Sequence, residues 1–379
     1  MKHRQVVKRA RRIVVKIGSS TLSRNGELRP RVFTDLARQV SELIESDRQV
    51  VLVSSGSIAV GRRELGWGHA DNSIPEMQAA AAVGQIGLVE LYKRRFARLD
   101  KKVAQVLLTR AGLEEREHFL NARRTLLELL RLGVVPIVNE NDTVATEEIR
   151  FGDNDNLSAT VVNLVGAELL IILTDVDGLH HEKPCADRPT PPLFDVIEAI
   201  TPEIEKAAQG SDNASGRGGM ITKLEAARTA ARSGAATVVC RGRGRDTLLR
   251  VVAGESVGTL FLSGQKLNSR KHWLAFTART RGELVIDPGA VRALLERGRS
   301  LLPAGVVEVR GNFRIGDSVT CVDQQGRQLA RGLAGYSAED VTRIRGLATR
   351  EIPRVLGYSN GDEVIHRDNL VLLESESNR

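Results

Sequence analysis

The sequence predicts an α/β fold: a mostly parallel sheet covered by helices on both faces, followed by a small, mainly β second domain. Three observations predict it. Up to about residue 262, runs of continuous apolar residues alternate with stretches of helical periodicity, the pattern of strand–helix–strand units with a buried parallel sheet. Beyond about residue 281 that alternation gives way to short strands at close spacing. The 379 residues are 41% hydrophobic with a mean hydropathy of −0.18, enough to fill the cores of two or three domains.

The elements follow in order. Arg12 to Ile17 is a strand that stops at the turn Gly18-Ser19-Ser20. Val32, Phe33, Leu36, Val40, Leu43 and Ile44 recur at helical spacing over 30–46. Gln49 to Val53 repeats the strand pattern and ends in Ser54-Ser55-Gly56. A helix over 75–99, a strand over 103–108, a helix over 114–132 and a strand over 134–138 come next. A polar loop separates that strand from a helix over 155–166, which leads to a strand at 169–173 and a long loop from Thr174 to about 195. Gly216-Arg217-Gly218-Gly219-Met220 introduces a helix over 221–233; strand 236–240, helix 246–253 and strand 258–262 complete a first domain of 1–265. The polar, basic stretch 266–280 reads as a linker. The second domain, 281–360, carries a strand at 283–287, a helix at 288–297, and strands at 305–309, 317–322 and 328–331. Residues 361–379 read as a tail, disordered from Glu374.

Composition narrows the function. No apolar run reaches membrane-spanning length. The start, Met1-Lys2-His3-Arg4, does not read as a signal peptide, and the basic run from Lys2 to Arg12 reads as a frayed leader in preference to a targeting arm. Cys185, Cys240 and Cys321 are too few and too scattered for a disulfide framework or a zinc site, and the seven His show no ligand spacing, so no protein metal site is expected and a reducing cytoplasm fits. The net charge of +8 raises nucleic acid as a partner, but residues 281–379 hold as many acidic as basic side chains and aromatics are 3%. A basic first domain can equally draw in anionic substrates. There is no P-loop, no dinucleotide-binding glycine fingerprint after a strand, and no serine nucleophile elbow.

Chemistry concentrates in the loop after strand 134–138. Asn139-Glu140-Asn141-Asp142 and Gly152-Asp153-Asn154-Asp155-Asn156 are two carboxylate–carboxamide clusters between a strand's C-terminal end and a helix start, where open α/β sheets bind ligands. Such residues also serve as ordinary turns and caps, but two clusters in one loop exceed what capping needs. They can hold a ligand's ammonium group, orient a lysine, or take a metal through water. Lys16 ends an apolar strand; it either reaches solvent or meets an anion. The glycine turn beside it, and Ser54-Ser55-Gly56 at the next strand, can offer backbone N–H groups to a phosphate. Lys223 lies in the first turn of its helix, where the helix dipole disfavours a cation, behind three glycines in four residues. Two lysines, glycine-rich turns and an acidic–amide loop suit phosphoryl transfer, in which Asp153 or Asp155 orients the lysines or binds magnesium.

In sequence order these pieces resemble the amino acid kinase family, and within it the branch that phosphorylates the side-chain carboxylate of L-glutamate to L-glutamyl 5-phosphate, the first step of proline biosynthesis. The resemblance rests on Val15 to Ser20, Ser54 to Ala59, Leu108-Thr109-Arg110 with Phe119 to Arg123, Asn139 to Asp142, Gly152 to Ala159, Thr174 to Leu179 and Gly218 to Lys223. Residues 281–360 resemble a PUA domain, a small β module of RNA-modifying enzymes. The resemblance implies an αβα sandwich that uses ATP with Mg2+. By position, Lys16 and Lys223 neutralise the transferring phosphoryl group and Asp155 holds both lysines. Ser55, Asp142 and Asn154 bind glutamate; Lys16, Thr174, Asp175, Arg217, Gly218, Gly219, Met220, Ile221, Thr222 and Lys223 bind ATP. It further implies a homo-oligomer, dimer or tetramer, feedback inhibition by proline, and no membrane partner. Arg217 departs from the threonine usual in the family's glycine-rich stretch, and His180-His181 stand where an aromatic often follows the Gly-Leu turn. Two rivals stand beside this reading. One is another amino acid kinase, acting on N-acetylglutamate, aspartate, carbamate or UMP. The other is an RNA-binding protein with a lapsed kinase domain, against which the neutral second domain and the full set of kinase residues weigh.

Overall fold

A computed structural model describes residues 3–24, 27–67, 73–145, 154–182, 191–209, 219–263 and 279–373, and the chain divides into two compact units. The expected linker 266–280 falls almost wholly outside the described residues.

The larger unit is built on an eight-stranded sheet. Its strands are β1 (Arg12–Ile17), β4 (Gln49–Ser54), β5 (Val103–Leu108), β6 (Val135–Glu140), β7 (Leu169–Thr174), β8 (Val196–Ile197), β9 (Ala236–Arg241) and β10 (Thr259–Phe261). Two more, β2 (Ser23–Arg24) and β3 (Glu27–Leu28), form a separate hairpin. The order across the large sheet is β5-β6-β4-β1-β7-β9-β10-β8, parallel throughout except that β10 runs antiparallel to β9. β1 lies between β4 and β7, so its apolar residues are covered on both faces and both edges, which is why its sequence reads as a continuous apolar run. Side chains alternate across a strand. Ile13, Val15 and Ile17 join Phe33, Leu36, Val40, Leu88, Tyr92 and Phe96 in one core, under helices Pro30–Glu45 and Ile74–Ala97. Val14 and Lys16 therefore point to the opposite face, that of helices Asp155–Val165 and Met220–Arg232. The unit is an αβα sandwich, as the sequence predicts.

Three local features were not legible beforehand. Ser54-Ser55-Gly56 is not only a turn: Gly56, at φ +111°, opens a helix over Ser57–Glu64. That helix lies so close to Ile74–Ala97 that a Cβ on Gly61 would sit 1.7 Å from Ala80 O, and one on Gly84 would sit 2.0 Å from Ser57 O. Second, the basic N-terminal run is not a frayed leader. Arg4 is only 4% exposed; its guanidinium donates to the carbonyls of Glu255 (2.9 Å), Val257 (3.2 Å) and Gly258 (3.0 Å) and to Asp195 Oδ1 (2.7 Å), and a helix spans Gln5–Arg9. Carbonyl partners about 250 residues away leave no mark on local composition. Third, the stretch after Thr174 contains the bridge between His180 and Leu193 and the short strand β8.

The smaller unit has a five-stranded sheet in the order β12-β11-β13-β14-β15, from β11 (Thr280–Ile286), β12 (Val306–Gly311), β13 (Ser318–Val322), β14 (Gln328–Leu333) and β15 (Leu370–Leu372). Leu284, Ile286, Phe313, Val319, Tyr336 and Ile344 fill its core. It extends past the boundary at 360: Val364 and Ile365 are buried and β15 pairs with β14. A three-residue edge strand in a polar stretch is too short for periodicity to reveal. Cys240 and Cys321 are free and buried, and burial pushes both thiols up to about 12. Among the described residues no helix is long and apolar enough to cross a membrane.

The glycine–glycine crossing yields a prediction. Gly84→Ala forces backbone apart in a packed core and destabilises the larger unit by about 1–3 kcal/mol. Urea unfolding followed by far-ultraviolet circular dichroism reads this directly; a midpoint equal to that of the wild type would show that the close approach is not needed.

Candidate active site

The candidate residues meet along the C-terminal edge of the parallel strands. Lys16 is the penultimate residue of β1, paired in register with Val53 of β4 and Ile172 of β7. Asp155 is the first residue of the helix Asp155–Val165, and Lys223 the fourth of Met220–Arg232. Asp155 Oδ1 lies 2.6 Å from Lys16 Nζ, and its Oδ2 lies 3.1 Å from Lys223 Nζ. All three are nearly shut off from solvent, at 4%, 0% and 5% exposure for Lys16, Asp155 and Lys223. Thr222 Oγ1 adds a hydrogen bond of 3.0 Å to the same Oδ2, and Lys223 Nζ also donates to Gly219 O at 3.3 Å. One carboxylate thus holds two ammonium groups from different elements, and of the alternatives left by the sequence Asp155 is the residue that does so. Asp153 lies outside the described residues.

A second group, linked by hydrogen bonds among amides and a hydroxyl and ending on one carboxylate, adjoins it. Asn154 Nδ2 donates to Ser54 O (2.9 Å) and Asn139 Oδ1 (2.8 Å). Asn139 Nδ2 donates to Gln85 Oε1 at 2.8 Å, with Ser57 Oγ at 3.4 Å, and Ser57 Oγ donates to Asp142 Oδ2 at 3.1 Å. Asn154 and Asp142, expected as substrate residues, therefore belong to one network. Ser55, the third, follows β4 directly. Gln85 and Ser57 were missed. The signal for Gln85 was present: it shares the buried stripe Ala81, Gln85, Leu88, Tyr92, and an amide on such a stripe needs a partner.

On the other side, Thr174 ends β7, and its hydroxyl donates to Asp175 Oδ1 at 3.1 Å. Gly219 caps the helix of Lys223; Met220 is buried and Ile221 exposed. Arg217 and Gly218 lie outside the described residues. Asp177 and Arg241 form a paired contact at 2.5 and 2.9 Å, which holds the Asp177 carboxyl below its ordinary range. Of the two histidines in the aromatic position, His181 stacks on Phe194 with ring centroids 3.6 Å apart.

Not every amide of the turns after β1 and β4 is open to a ligand. Gly18 N–H donates to Leu173 O (3.1 Å) and Ser55 N–H to Ile17 O (3.2 Å), both continuing the sheet's ladder. In a parallel ladder each strand bonds the carbonyl of a neighbour one step back, so the first amide past a strand still completes its pairing, a register effect the turn sequence does not show.

Buried ammonium groups beside a helix start suit the binding of an anion, and no covalent nucleophile is needed for chemistry that transfers a charged group. The fold and this arrangement define a phosphotransferase of the amino acid kinase class. Residues 11–242 match the amino acid kinase family and 282–356 match the PUA domain; the chain belongs to the amino acid kinase family. Its relatives include glutamate 5-kinase of Citrifermentans bemidjiense, 50% identical over 372 residues that cover 98% of this chain and 100% of the relative. Glutamate 5-kinase of Nitrosococcus oceani is 50% identical over 373 residues, covering 98% and 99%.

Asp155→Asn removes the anion that both lysines share. Breaking a buried ion pair by deleting one partner costs about 3–5 kcal/mol. A loss of that size in denaturant unfolding is expected; a loss below about 1 kcal/mol, the range of an exposed pair, would contradict the geometry.

Proposed function

We propose that the protein transfers the γ-phosphoryl group of ATP to the side-chain carboxylate of L-glutamate, giving L-glutamyl 5-phosphate and ADP, the first step of proline biosynthesis. The observation that carries this is the carboxylate of Asp155 bridging Lys16 and Lys223 at the strand ends. A carboxylate oxygen of glutamate attacks the γ-phosphorus while the bond to the β–γ bridging oxygen breaks and ADP leaves. Glutamate is ionised at neutral pH, so no general base is required. What the reaction needs is alignment of two anions and compensation of charge on the transferring group. Lys16 and Lys223 supply the charge and Asp155 keeps them in place. Ser55, Asp142 and Asn154 hold glutamate. Thr174, Asp175 and the segment Arg217 to Lys223 hold the nucleotide.

Mg2+ enters as MgATP. Asp155 is already engaged by both lysines. Magnesium bound chiefly through phosphates and water fits that donor set. Feedback inhibition by proline and a homo-oligomer belong to the same proposal and rest on the resemblance; a cytoplasmic location belongs to it too and rests on the few, scattered cysteines. The balanced charge of 281–379 supports a role for that region other than binding RNA.

The direct test is ATP- and Mg2+-dependent hydroxamate formation in hydroxylamine, with L-glutamate, N-acetylglutamate and L-aspartate as acceptors and ADP measured in parallel. Product from glutamate alone is expected; product from another acceptor only would keep the chemistry and overturn the substrate. Two variants assign roles. Lys223→Ala lowers kcat by roughly 10²–10³-fold, the loss typical of one preorganised charge-stabilising donor, and near-normal turnover would remove it from catalysis. Asp142→Ala raises KM for glutamate far more than KM for ATP; equal rises would make Asp142 structural.

A further inference from the structure

The amide network beside Asp155 has a polarity that can be followed bond by bond. Asn154 uses its Nδ2 twice, on Ser54 O and on Asn139 Oδ1. The Ser54 carbonyl can only accept, so the orientation of the Asn154 amide is fixed. Asn139 Oδ1 also accepts from the backbone N–H of Glu140 at 2.9 Å, which fixes Asn139 in turn. Its Nδ2 then faces Gln85, and Gln85 must answer with Oε1, as it does at 2.8 Å. Flipping the Gln85 amide would set two NH2 groups against each other. The consequence falls on Gln85 Nε2. It is buried, on a residue only 8% exposed, and has no hydrogen-bond partner among the described residues. A buried donor without an acceptor is destabilising, so one kept in place asks for an acceptor from elsewhere.

We infer that Gln85 is a substrate-binding residue whose Nε2 donates to the α-carboxylate of the acceptor amino acid; this rests on the glutamate reading and deepens it. The reacting end of the substrate belongs with Lys16, Lys223 and Asp155. Gln85 belongs with the other cluster, joined through Asn139 and Ser57 to the carboxylate of Asp142. An amino-acid head carries an ammonium and a carboxylate on one carbon, so its site needs an acceptor and a donor close together. Asp142 supplies the first and Gln85 the second. A neutral donor suits that place: a cation there would pair with Asp142 and weaken its hold on the ammonium.

The test compares L-glutamate with 4-aminobutyrate, the same chain without the α-carboxylate, in the full-length protein. Hydroxamate assays give KM and kcat for glutamate, and 4-aminobutyrate is measured as a competitive inhibitor. Gln85→Leu is expected to raise KM for glutamate about 10- to 100-fold, the range for a lost hydrogen bond to a charged group, with kcat and KM for ATP changed by less than about threefold. The inhibition constant of 4-aminobutyrate should move by less than about threefold, because it has nothing to lose. Gln85→Glu keeps an oxygen towards Asn139 and places an anion where the donor was, so it should raise KM for glutamate at least as much. If Gln85→Leu does not fold, as judged by its melting curve, Gln85→Glu and the equally long Gln85→Met carry the comparison. Equal weakening of both ligands, or an unchanged KM for glutamate, overturns the inference while leaving the function standing. A wild-type protein that makes no product from glutamate overturns both.

Discussion

One carboxylate shared by two ammonium groups, all three shut away from water, is the constraint the larger unit must satisfy. Two ammonium groups at such range repel, by about 4 kcal/mol for unit charges 4 Å apart in a medium of intermediate dielectric. They stay together because each lies on a different oxygen of Asp155, at 2.6 and 3.1 Å. Ionic groups held this closely in a dry setting are pre-set in position, so they need not reorganise to meet a charged ligand.

Holding Asp155 that closely depends on a match of lengths. β1 and the helix Asp155–Val165 lie against each other, and β1 grips the helix at both ends. Near its C-terminal end Lys16 meets Asp155; at its start the Arg12 guanidinium donates to Val165 O. Four strand residues span about 13 Å and ten helical steps about 15 Å, so one strand can reach both ends of one helix. Arg123 adds donors to the carbonyls of Asn163 and Leu164, and Gly166 ends the helix in the left-handed conformation. Burial lowers the pKa of Arg12 and of Arg123, the cost of setting guanidinium groups against a buried helix end. The last carbonyls of the helix, which would otherwise lack partners, become the anchor for the residue at its opposite end.

Much of this was legible because the physics is local. Continuous apolar runs gave β1, β4, β6, β7 and β9, since a parallel sheet covered on both faces tolerates little else. Lys16 and Lys223 stood out because each sits where its own element disfavours it, whereas Asp155 shared its place with Asp153 until the family resemblance singled it out. What stayed hidden depends on distant partners. Arg4 looked like loose basic sequence because its acceptors are Asp195 and the carbonyls of Glu255, Val257 and Gly258. The helix after Gly56 went unread because Gly61 and a polar Ser57 weaken its periodicity; the packing against Gly84 explains the first and the hydrogen bond to Asp142 the second. β15 is three residues long, below what any pattern resolves.

Under the function proposed, the two parts of the site use different interactions for different tasks. Where bonds change, charge is redistributed, and ionic side chains in a dry setting respond to it most strongly. Where a ligand need only be told from its analogues, charge is a poor instrument, since an ammonium attracts any anion from any direction. Amides are directional and come with a fixed sense, donor on one side and acceptor on the other. In the chain from Ser54 O through Asn154 and Asn139 to Gln85 that sense is set by backbone groups of β4 and β6, which cannot rotate. The sheet therefore fixes the polarity of the network as well as its position. A ligand offering a donor where the chain ends in a donor leaves two buried groups unpaired, a penalty that rejects it more sharply than a poor fit of shape. Asn154 and Asp155, neighbours in sequence at one helix start, are where the directional part and the ionic part join.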